Sequence, residues 1–281
     1  MSKLMIGLYA ETFLHPGSGQ NEGAIDLPVM REKVTGYPVI LGSSLKGALR
    51  AKAAADQSEQ ALDDFFGKQE GAGGILVGDA RLLLLPIRSL TGSFKWVTCQ
   101  HVVNRLQRDS ARCGRPISVS VPSVASGTYA SVNNSAASEA QALYLEERRL
   151  EPQENHIDEA LVQLIASTMP ANIDINELRQ RLVIVDNDDF AWFCGNSLPI
   201  HARNVLNNET KASKNLWYEE ALPPETVLYA VFLPRFDASL MGRFQQQVIQ
   251  NNAYLQVGGN ETIGQGWLAM SVMPAPQQEA V

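Results

Sequence analysis

Blocks of regular hydrophobic patterning lie at the two ends of the chain, and their order limits the folds that it can adopt. In the first block, short apolar runs and helical spacing predict a buried strand over residues 4–10, a helix over 44–55 and a strand over 75–87. Ser43 and Ser44 are the predicted N-cap residues of that helix. The chain therefore opens with a strand, a helix and a second strand.

The last third of the chain repeats this order. The same criteria predict a strand over 226–233, a helix over 239–251 and two strands over 254–257 and 267–273. A strand, a helix and a strand at each end of the chain are typical of an α+β sandwich of the ferredoxin-like or RNA-recognition type. We therefore predict a modified form of this fold class that carries a large inserted region.

The stretch between the two blocks is less regular. Helical spacing recurs near residues 138–150 and over 156–169. No linker rich in glycine or proline divides the chain, so we predict a single domain. This domain spans residues 1–281, with its core at about 1–90 and 216–274 and its insertion at about 91–215.

Composition narrows the class of protein and its compartment. The 281 residues, 45% of them hydrophobic, are enough to bury a core without disulfides. Three scattered cysteines do not make a disulfide framework, which favours a reducing cytoplasm. No apolar run approaches the ~20 residues that a membrane-spanning helix needs. The first apolar run is cut by Glu11, so we predict neither a membrane partner nor a signal peptide.

Charge is distributed unevenly along the chain. The formal net charge of −7 argues against binding to a polyanion. Residues 81–115, however, carry seven Lys and Arg side chains against Asp109 alone, and residues 31–52 carry five against Glu32. Residues 137–190 hold twelve carboxylates and four arginines. This segregation indicates either a basic face for a polyanion and an acidic face for a protein neighbour, or a solvated surface whose charges cluster by chance.

Motifs of several enzyme classes are absent from the sequence. It contains no HExxH and no CxxC pair, and Cys99, His101 and Cys113 lack a fourth ligand, so we predict no structural zinc. GSSLKG at 42–47 lacks the order of a P-loop, and no GxSxG elbow marks a serine nucleophile. The sequence thus argues against nucleotide hydrolysis and against a serine hydrolase.

Two loops rich in turn-forming residues are the candidate sites. GGNETIGQG at 258–266 either makes a tight bend between two strands or brings its backbone N–H groups close to a phosphate. The loop at 15–28 contains Asp26, close to the basic segment that begins at Arg31. A single loop carboxylate is usually only solvated. One that is set among phosphates can orient or deprotonate a ribose 2′-hydroxyl, or hold a divalent cation.

Several segments together resemble the RAMP superfamily of CRISPR effector proteins. In chain order they are HPGSG (15–19), GAIDLPVMRE (23–32), GYPVILGSSLKGALR (36–50), FG (66–67), DARLL (79–83), PIRS (86–89), YEEALPPET (218–226) and GGNETIGQGW (258–267). More narrowly, they resemble the backbone subunit of the Cmr-type, or type III-B, complex, the fourth Cmr protein. The resemblance covers most of the chain in the right order and is looser over about 91–215.

This resemblance implies an RNA-binding protein that polymerises. A RAMP backbone subunit binds guide CRISPR RNA as head-to-tail copies in a filament, together with other Cmr-type subunits. It inserts a thumb-like hairpin between bases and cuts the complementary target RNA at regular intervals. The resemblance thus implies a metal-dependent endoribonuclease of antiviral defence, with a divalent metal, Mg²⁺, as its cofactor.

The resemblance also assigns residue roles. The cleavage acid of the family lies in the loop after the first strand and matches Asp26, which is also the candidate metal ligand. His15, Glu219 and Glu220 are candidates for assisting. The residues that would bind guide-RNA phosphates are Arg31, Ser44, Lys46, Arg50, Arg88, Gly258, Gly259, Gly264 and Gly266. The basic segment 81–115 would line the RNA path, as a candidate part of the thumb.

Other hypotheses share this fold. A non-catalytic RAMP scaffold would bind guide RNA without cutting, but the presence of Asp26 in GAIDLP favours the enzyme. A guide-processing RAMP endonuclease would need a catalytic set of histidines or lysines, which the helix over 44–55 does not offer. A cap subunit at one end of the complex fits the backbone motifs less well.

Overall fold

The computed structural model describes residues 3–20, 23–132 and 141–274. Within these ranges the elements are β1 (Leu4–Ala10), β2 (Val39–Ile40), α1 (Gly42–Ala53), α2 (Glu59–Phe66), β3 (Gly67–Lys68), β4 (Gly71–Ala72), β5 (Ile75–Val77), β6 (Ala80–Arg88), β7 (Phe94–Cys99), α3 (Gln100–Arg112), β8 (Thr128–Ser131), β9 (Leu143–Leu145), β10 (Arg148–Pro152), α4 (Glu159–Ala166), α5 (Ile175–Arg181), β11 (Leu182–Val185), α6 (Asn187–Asn196), β12 (Ile200–Leu206), β13 (Ser213–Glu220), β14 (Val227–Pro234), α7 (Ser239–Phe244), a π-helical segment (Gln245–Gln250), β15 (Tyr254–Gln256), a 3₁₀ turn (Glu261–Ile263) and β16 (Trp267–Val272). None of the helices in these ranges is long and apolar enough to cross a membrane.

One sheet joins most of these strands. Its order is β15-β16-β1-β14-β6-β7-β11-β8-β10-β9, with β2 beside β6 and β5 beside β14. Strands from the two ends of the chain meet in it, because β1 pairs antiparallel with both β14 and β16, and β14 pairs antiparallel with β6. The predicted mixed α+β architecture is confirmed.

The insertion extends this sheet. β7 pairs antiparallel with β6, β11 pairs parallel with β7, and β8 pairs antiparallel with β11. The end of the insertion does not join this sheet. There, β12 and β13 pair with each other in a separate two-stranded hairpin. Several large apolar side chains of this hairpin are exposed: Ile200, Val205, Leu206, Leu216 and Tyr218. The hairpin therefore presents apolar side chains to solvent.

The start of α1 differs from the prediction. Neither Ser43 nor Ser44 caps the helix, which begins earlier, at Gly42. Instead, the carboxylate of Asp79 accepts a hydrogen bond from the backbone N–H of Gly42 at 2.7 Å. Asp79 lies where the predicted second strand is broken into β5 and β6. The capping residue is 37 positions away in sequence, so the local pattern gave no sign of it.

Two predicted helices also differ. In place of the helix near 138–150 the structure has β9 and β10, with Leu143 and Leu145 buried and Tyr144 exposed between them, which is the period of a strand. Residues 138–140 lie outside the described ranges. The helix predicted over 239–251 begins as α7 and continues as the π-helical segment.

Close packing against β1 requires a glycine. β1 is buried at every position, so both of its faces are covered. A Cβ atom on Gly7 would lie 1.7 Å from the carbonyl oxygen of Thr168, which follows α4. Glycine therefore lets the insertion approach the central strand directly, and this contact joins the insertion to the core.

Candidate functional site

The loop after β1 is fixed against the base of the β12–β13 hairpin by backbone hydrogen bonds. The N–H of Leu27 donates to the carbonyl of Tyr218 at 3.1 Å, and the N–H of Glu220 donates to the carbonyl of Leu27 at 2.9 Å. Beside them, Oδ2 of Asp26 accepts a hydrogen bond from the N–H of Tyr218 at 2.7 Å. The position of Asp26 is therefore set by the hairpin.

Asp26 faces an open depression. The depression has a volume of ≈ 420 Å³, and its lining includes Gln20, Asp26, Leu216 and Trp217. Among the described residues, none donates a hydrogen bond to the second carboxylate oxygen, Oδ1. Asp26 thus combines a fixed orientation with an oxygen that is free to accept a proton or bind a cation.

Glu219 is buried beneath this loop in a polar cluster. Its side chain is only 4% exposed, and the amide nitrogen of Asn260 donates to its Oε1. Nε of Arg203 lies 3.7 Å from its Oε2. Gln265 completes the cluster, because its Oε1 accepts hydrogen bonds from both Asn260 (3.0 Å) and Arg203 (3.1 Å). The cluster ties the hairpin to the glycine-rich loop.

His15 lies between the same elements. Its Nδ1 is 2.6 Å from the carbonyl oxygen of Glu220, so Nδ1 carries the proton and donates it there, and it is 4.0 Å from Oε1 of Glu219. The backbone of the glycine-rich loop approaches closely, since the N–H of Gly259 donates to the carbonyl of His15 at 3.1 Å. Gly258 has a φ of +86°, and a Cβ atom there would lie 2.4 Å from that carbonyl oxygen. Only glycine permits this contact.

Glu220 is paired with Arg31. Nη2 of Arg31 lies 2.6 Å from Oε1 of Glu220, and the N–H of Val29 donates to Oε2 at 3.0 Å. Nη1 of Arg31 also donates to the carbonyl oxygens of Cys194 and Gly36. Arg31 therefore has an evident structural role, and its RNA contact stays a prediction.

The structure brings some predicted site residues together and leaves others apart. Five of them meet at the base of the hairpin: Asp26, His15, Glu219, Glu220 and Arg31. Gly258 and Gly259 lie against His15. The remaining predicted RNA contacts make other interactions or are exposed. Ser44 is exposed, Lys46 is partly exposed, Arg50 donates to the carbonyl of Gly67, Arg88 pairs with Glu146 at 2.9 Å, and Gly264 and Gly266 lie in the glycine-rich loop with positive φ.

Several basic residues of the segment 81–115 pair with carboxylates inside the fold. Asp109 is buried and accepts hydrogen bonds from Arg81 at 2.6 Å and Arg112 at 2.9 Å. Arg105 pairs with Glu32 at 2.8 Å. These pairs hold α3 against the sheet and the loop before α1. The expectation that the segment lines an RNA path stays a prediction. The pairing with Glu32 could not be read from the sequence, because Glu32 lies far from Arg105 along the chain.

Sequence reasoning missed four residues of this site: Arg203, Asn260, Gln265 and Trp217. Arg203 meets Glu219 only because the hairpin register places His201 opposite Glu219 and Arg203 two residues further along the same strand. Asn260 adopts a left-handed conformation with φ of 67°. The only signal for Asn260 and Gln265 was their place in the glycine-rich loop, and nothing singled out Trp217.

The donor set at Asp26 suits a largely hydrated divalent ion. Among the described residues, no group of three or more His, Cys, Asp or Glu side chains could hold a metal. Mg²⁺ needs no such group, since it commonly binds one or two carboxylates while keeping its waters and contacting substrate phosphates. Burial raises the pKa of the Cys99, Cys113 and Cys194 thiols, which disfavours the thiolates that bind zinc.

Comparisons with known proteins agree with this architecture. Residues 8–269 match the model of the RAMP superfamily. The chain is 34% identical to the CRISPR system Cmr endoribonuclease Cmr4 of Pyrococcus furiosus, over 97% of this chain and 96% of that protein. It is similar to the crystal structure of oligomeric Cmr4 from Pyrococcus furiosus, with a TM-score of 0.78 and 30% identity over 97% and 98% of the two chains. It also shares its fold with a chain of the type III-B Cmr-beta complex bound to cognate target RNA, with a TM-score of 0.77 and 21% identity over 96% and 97% of the two chains.

The chain therefore belongs to the RAMP superfamily. Within that superfamily, its similarity over nearly the whole of both chains places it in the Cmr4 family.

Proposed function

We propose that the chain is the backbone subunit of a type III-B CRISPR complex, which binds guide RNA as head-to-tail copies and cleaves complementary target RNA at regular intervals. The observation that carries the proposal is the geometry of Asp26, whose orientation is fixed by Tyr218 while the depression before it is open. A general base must be held within reach of the proton that it takes. The relative at 34% identity is named as an endoribonuclease, which supports this activity.

The sheet and the hairpin support RNA binding of the RAMP kind. β16, β1, β14 and β6 are neighbours in that order, which suits a ferredoxin-like arrangement of the two strand–helix–strand blocks. We assign the β12–β13 hairpin as the thumb-like hairpin, because Leu206 and Leu216 expose apolar side chains and apolar wedges unstack bases. The target would be distorted next to Asp26, since Leu216 and Trp217 line the same depression.

In the proposed reaction, the 2′-hydroxyl of a target ribose attacks the neighbouring phosphate, and the 5′-oxygen of the next nucleotide leaves. Asp26 orients or deprotonates that hydroxyl. Its free oxygen would also hold Mg²⁺, which when bound supplies neutralisation of the charge that develops on the phosphate. The Glu219–Arg203 and Glu220–Arg31 pairs keep the loop and the hairpin in register, so the acid and the distorted strand stay aligned.

The partners of the proposed subunit are guide RNA, target RNA, other Cmr-type subunits and copies of the chain itself. The similar Pyrococcus furiosus protein was crystallised in an oligomeric form, which supports self-association. Repetition of the same subunit along the guide would give cleavage at a constant spacing. A cytoplasmic location is part of the same proposal.

Substitution of Asp26 tests the proposal. The complex is reassembled with guide RNA and given labelled complementary RNA and Mg²⁺, with wild type compared with Asp26→Asn and with Asp158→Asn. Asp158 is exposed and makes no side-chain cap hydrogen bond, so it is a matched control. We expect regularly spaced cuts from wild type and the control. In Asp26→Asn the rate should fall by about 10²–10⁴-fold, with target binding unchanged.

Two outcomes would contradict this proposal. Target binding without cutting by wild type would identify a non-catalytic scaffold. Equal cutting by Asp26→Asn would place the acid elsewhere, with Glu219 and His15 as the next candidates. The role of the metal is tested in the same assay: a chelator should stop cleavage and added Mg²⁺ should restore it, whereas cleavage that persists in the chelator would rule the metal out.

A further inference from the structure

The depression in front of Asp26 has the size and the lining of a site for one nucleotide. Its volume of ≈ 420 Å³ lies within the range of pockets that hold small organic molecules. Leu27, Leu216 and Trp217 give it apolar walls. None of the described residues that line it is a Lys or an Arg, the side chains that usually bind phosphate. The lining therefore suits a base and its ribose better than a phosphate group.

Trp217 contributes an aromatic ring that the fold leaves partly open. The rings of Trp96 and Trp192 are packed against Phe94 and Arg148. Among the described residues, no aromatic ring or guanidinium group stacks on Trp217 in this way, and its side chain is only partly buried. An aromatic ring that borders an open space offers a surface on which a base can stack.

β13 holds this ring next to the candidate acid. Trp217 directly precedes Tyr218, whose N–H donates to Oδ2 of Asp26 at 2.7 Å. The ring and the carboxylate line the same depression. A base stacked on Trp217 would therefore keep its ribose within reach of Asp26.

The edge of β13 that borders the depression also carries backbone groups for the nucleotide. The N–H and C=O of Tyr218 point away from β12, because they bond to Asp26 and Leu27. Leu216 lies two residues before Tyr218 and pairs with Asn204 in the same register, so its N–H and C=O point to the same edge. No hydrogen bond joins them to another described segment. These groups can bond to the ribose or phosphate of any nucleotide, whichever base it carries.

The proposed reaction gives a stacking surface at this place a purpose. The attacking 2′-oxygen, the phosphorus and the leaving 5′-oxygen must lie in line, and a nucleotide stacked in a regular helix does not hold them so. The nucleotide must leave the stack, which costs a few kcal/mol. An aromatic ring that receives the base offsets part of this cost. Stacking also tolerates every base, as a protein that cuts targets of any sequence requires.

We propose that Trp217 stacks on the base of the target nucleotide whose 2′-hydroxyl attacks, and so holds the ribose of that nucleotide at Asp26. The inference rests on the proposed cleavage of target RNA. It extends that proposal by naming the residue that binds the displaced base, and it predicts no preference for one base over another.

An abasic target separates stacking from folding. The reassembled complex, with guide RNA and Mg²⁺, is given a target in which the ribonucleotide on the 5′ side of one cut lacks its base and keeps its 2′-hydroxyl. We expect wild type to cut that bond roughly tenfold more slowly than in the intact target, and the other bonds at an unchanged rate. Trp217→Ala should cut every bond of the intact target roughly tenfold more slowly. Its target binding should stay unchanged, because base pairing with the guide recognises the target.

The combination of the two changes is the decisive measurement. In Trp217→Ala the abasic nucleotide should cause no further loss of rate, because the stacking contact is already missing. Trp217→Phe should restore most of the rate, since a smaller ring still stacks. Tyr254→Ala is the control, because Tyr254 is an exposed aromatic residue that does not line the depression, and this variant should cut like wild type.

Four outcomes would contradict the inference. Losses that multiply to roughly a hundredfold would show that the base and Trp217 act independently. Slow cutting by Trp217→Ala, with normal cutting of the abasic bond by wild type, would mean that Trp217 acts only through the fold of the hairpin. Normal cutting by Trp217→Ala would overturn the inference and leave the role of Asp26 intact. Absence of cutting by wild type would contradict the proposed function, and this inference with it.

Discussion

Each of the two glutamates buried at the base of the hairpin is matched by an arginine from another segment. Arg31 pairs with Glu220, and Arg203 approaches Glu219. Side-chain exposure is 25% for Arg31 and 5% for Glu220, so the pair is mostly removed from water. In such a pair the loss of one partner destabilises the folded chain, because it leaves an uncompensated buried charge. A basic residue close to a candidate site can therefore stabilise the fold in addition to its predicted RNA contact.

We expect Arg31→Ala to lower the free energy of unfolding by about 3 kcal/mol. The variant leaves Glu220 without its charge partner and removes the hydrogen bonds to the carbonyls of Cys194 and Gly36. Urea denaturation of the full chain measures the change. Lys33→Ala is the control, because Lys33 is exposed and its replacement should change stability by no more than about 0.5 kcal/mol. Unchanged stability with weakened RNA binding would show instead that Arg31 is chiefly an RNA contact.

Among the secondary-structure elements, β1 has the strictest packing requirement. The sequence predicted β1 from a continuous apolar run. Every residue of this strand is buried, and a strand that is covered on both faces needs no alternation of polar and apolar residues. What the run did not show is that the end of α4 contacts it at Gly7. The approach is backbone to backbone, so no rotamer change can relieve an added methyl group.

Two glycine substitutions test this requirement with opposite expected signs. Gly7→Ala would place a Cβ atom 1.7 Å from the carbonyl oxygen of Thr168, and we expect a loss of about 3 kcal/mol or more. Gly47→Ala lies inside α1, where the added Cβ meets nothing within 4 Å. It should stabilise the chain by about 0.5–1 kcal/mol. Thermal unfolding of both variants measures the difference, and equal effects would refute the contact between β1 and α4.

The elements that the sequence predicted are those whose signals are local. β1, α1, β14 and β16 follow from short apolar runs or helical spacing. Contacts between distant segments were not predictable: Asp79 caps α1 from 37 positions away, and Tyr218 fixes Asp26 from 192 positions away. Asp26 itself could be singled out as a carboxylate in a turn-rich loop. Its orientation depends on a hairpin that lies in the irregular part of the sequence.

Over the whole molecule, the core and the insertion share one sheet and one apolar interior. β6 belongs to the first block and pairs with β7 of the insertion, while β1 contacts the end of α4 through Gly7. The buried cluster includes Phe244 of α7 as well as Phe190 of α6. These contacts between the described parts of the core and the insertion favour a single domain, because independent domains are separated by boundaries that few contacts cross.

This continuity predicts that the free chain unfolds in one cooperative transition. Far-UV circular dichroism and tryptophan fluorescence should give coincident unfolding curves, which is the test for two-state behaviour. Phe190→Ala in the insertion and Phe244→Ala in the core each remove a fully buried ring and should each cost about 3–5 kcal/mol. Because the interior is shared, both variants should move the same single transition to lower denaturant. Two separate transitions, each moved by only one of the variants, would show that residues 91–215 form a domain of their own.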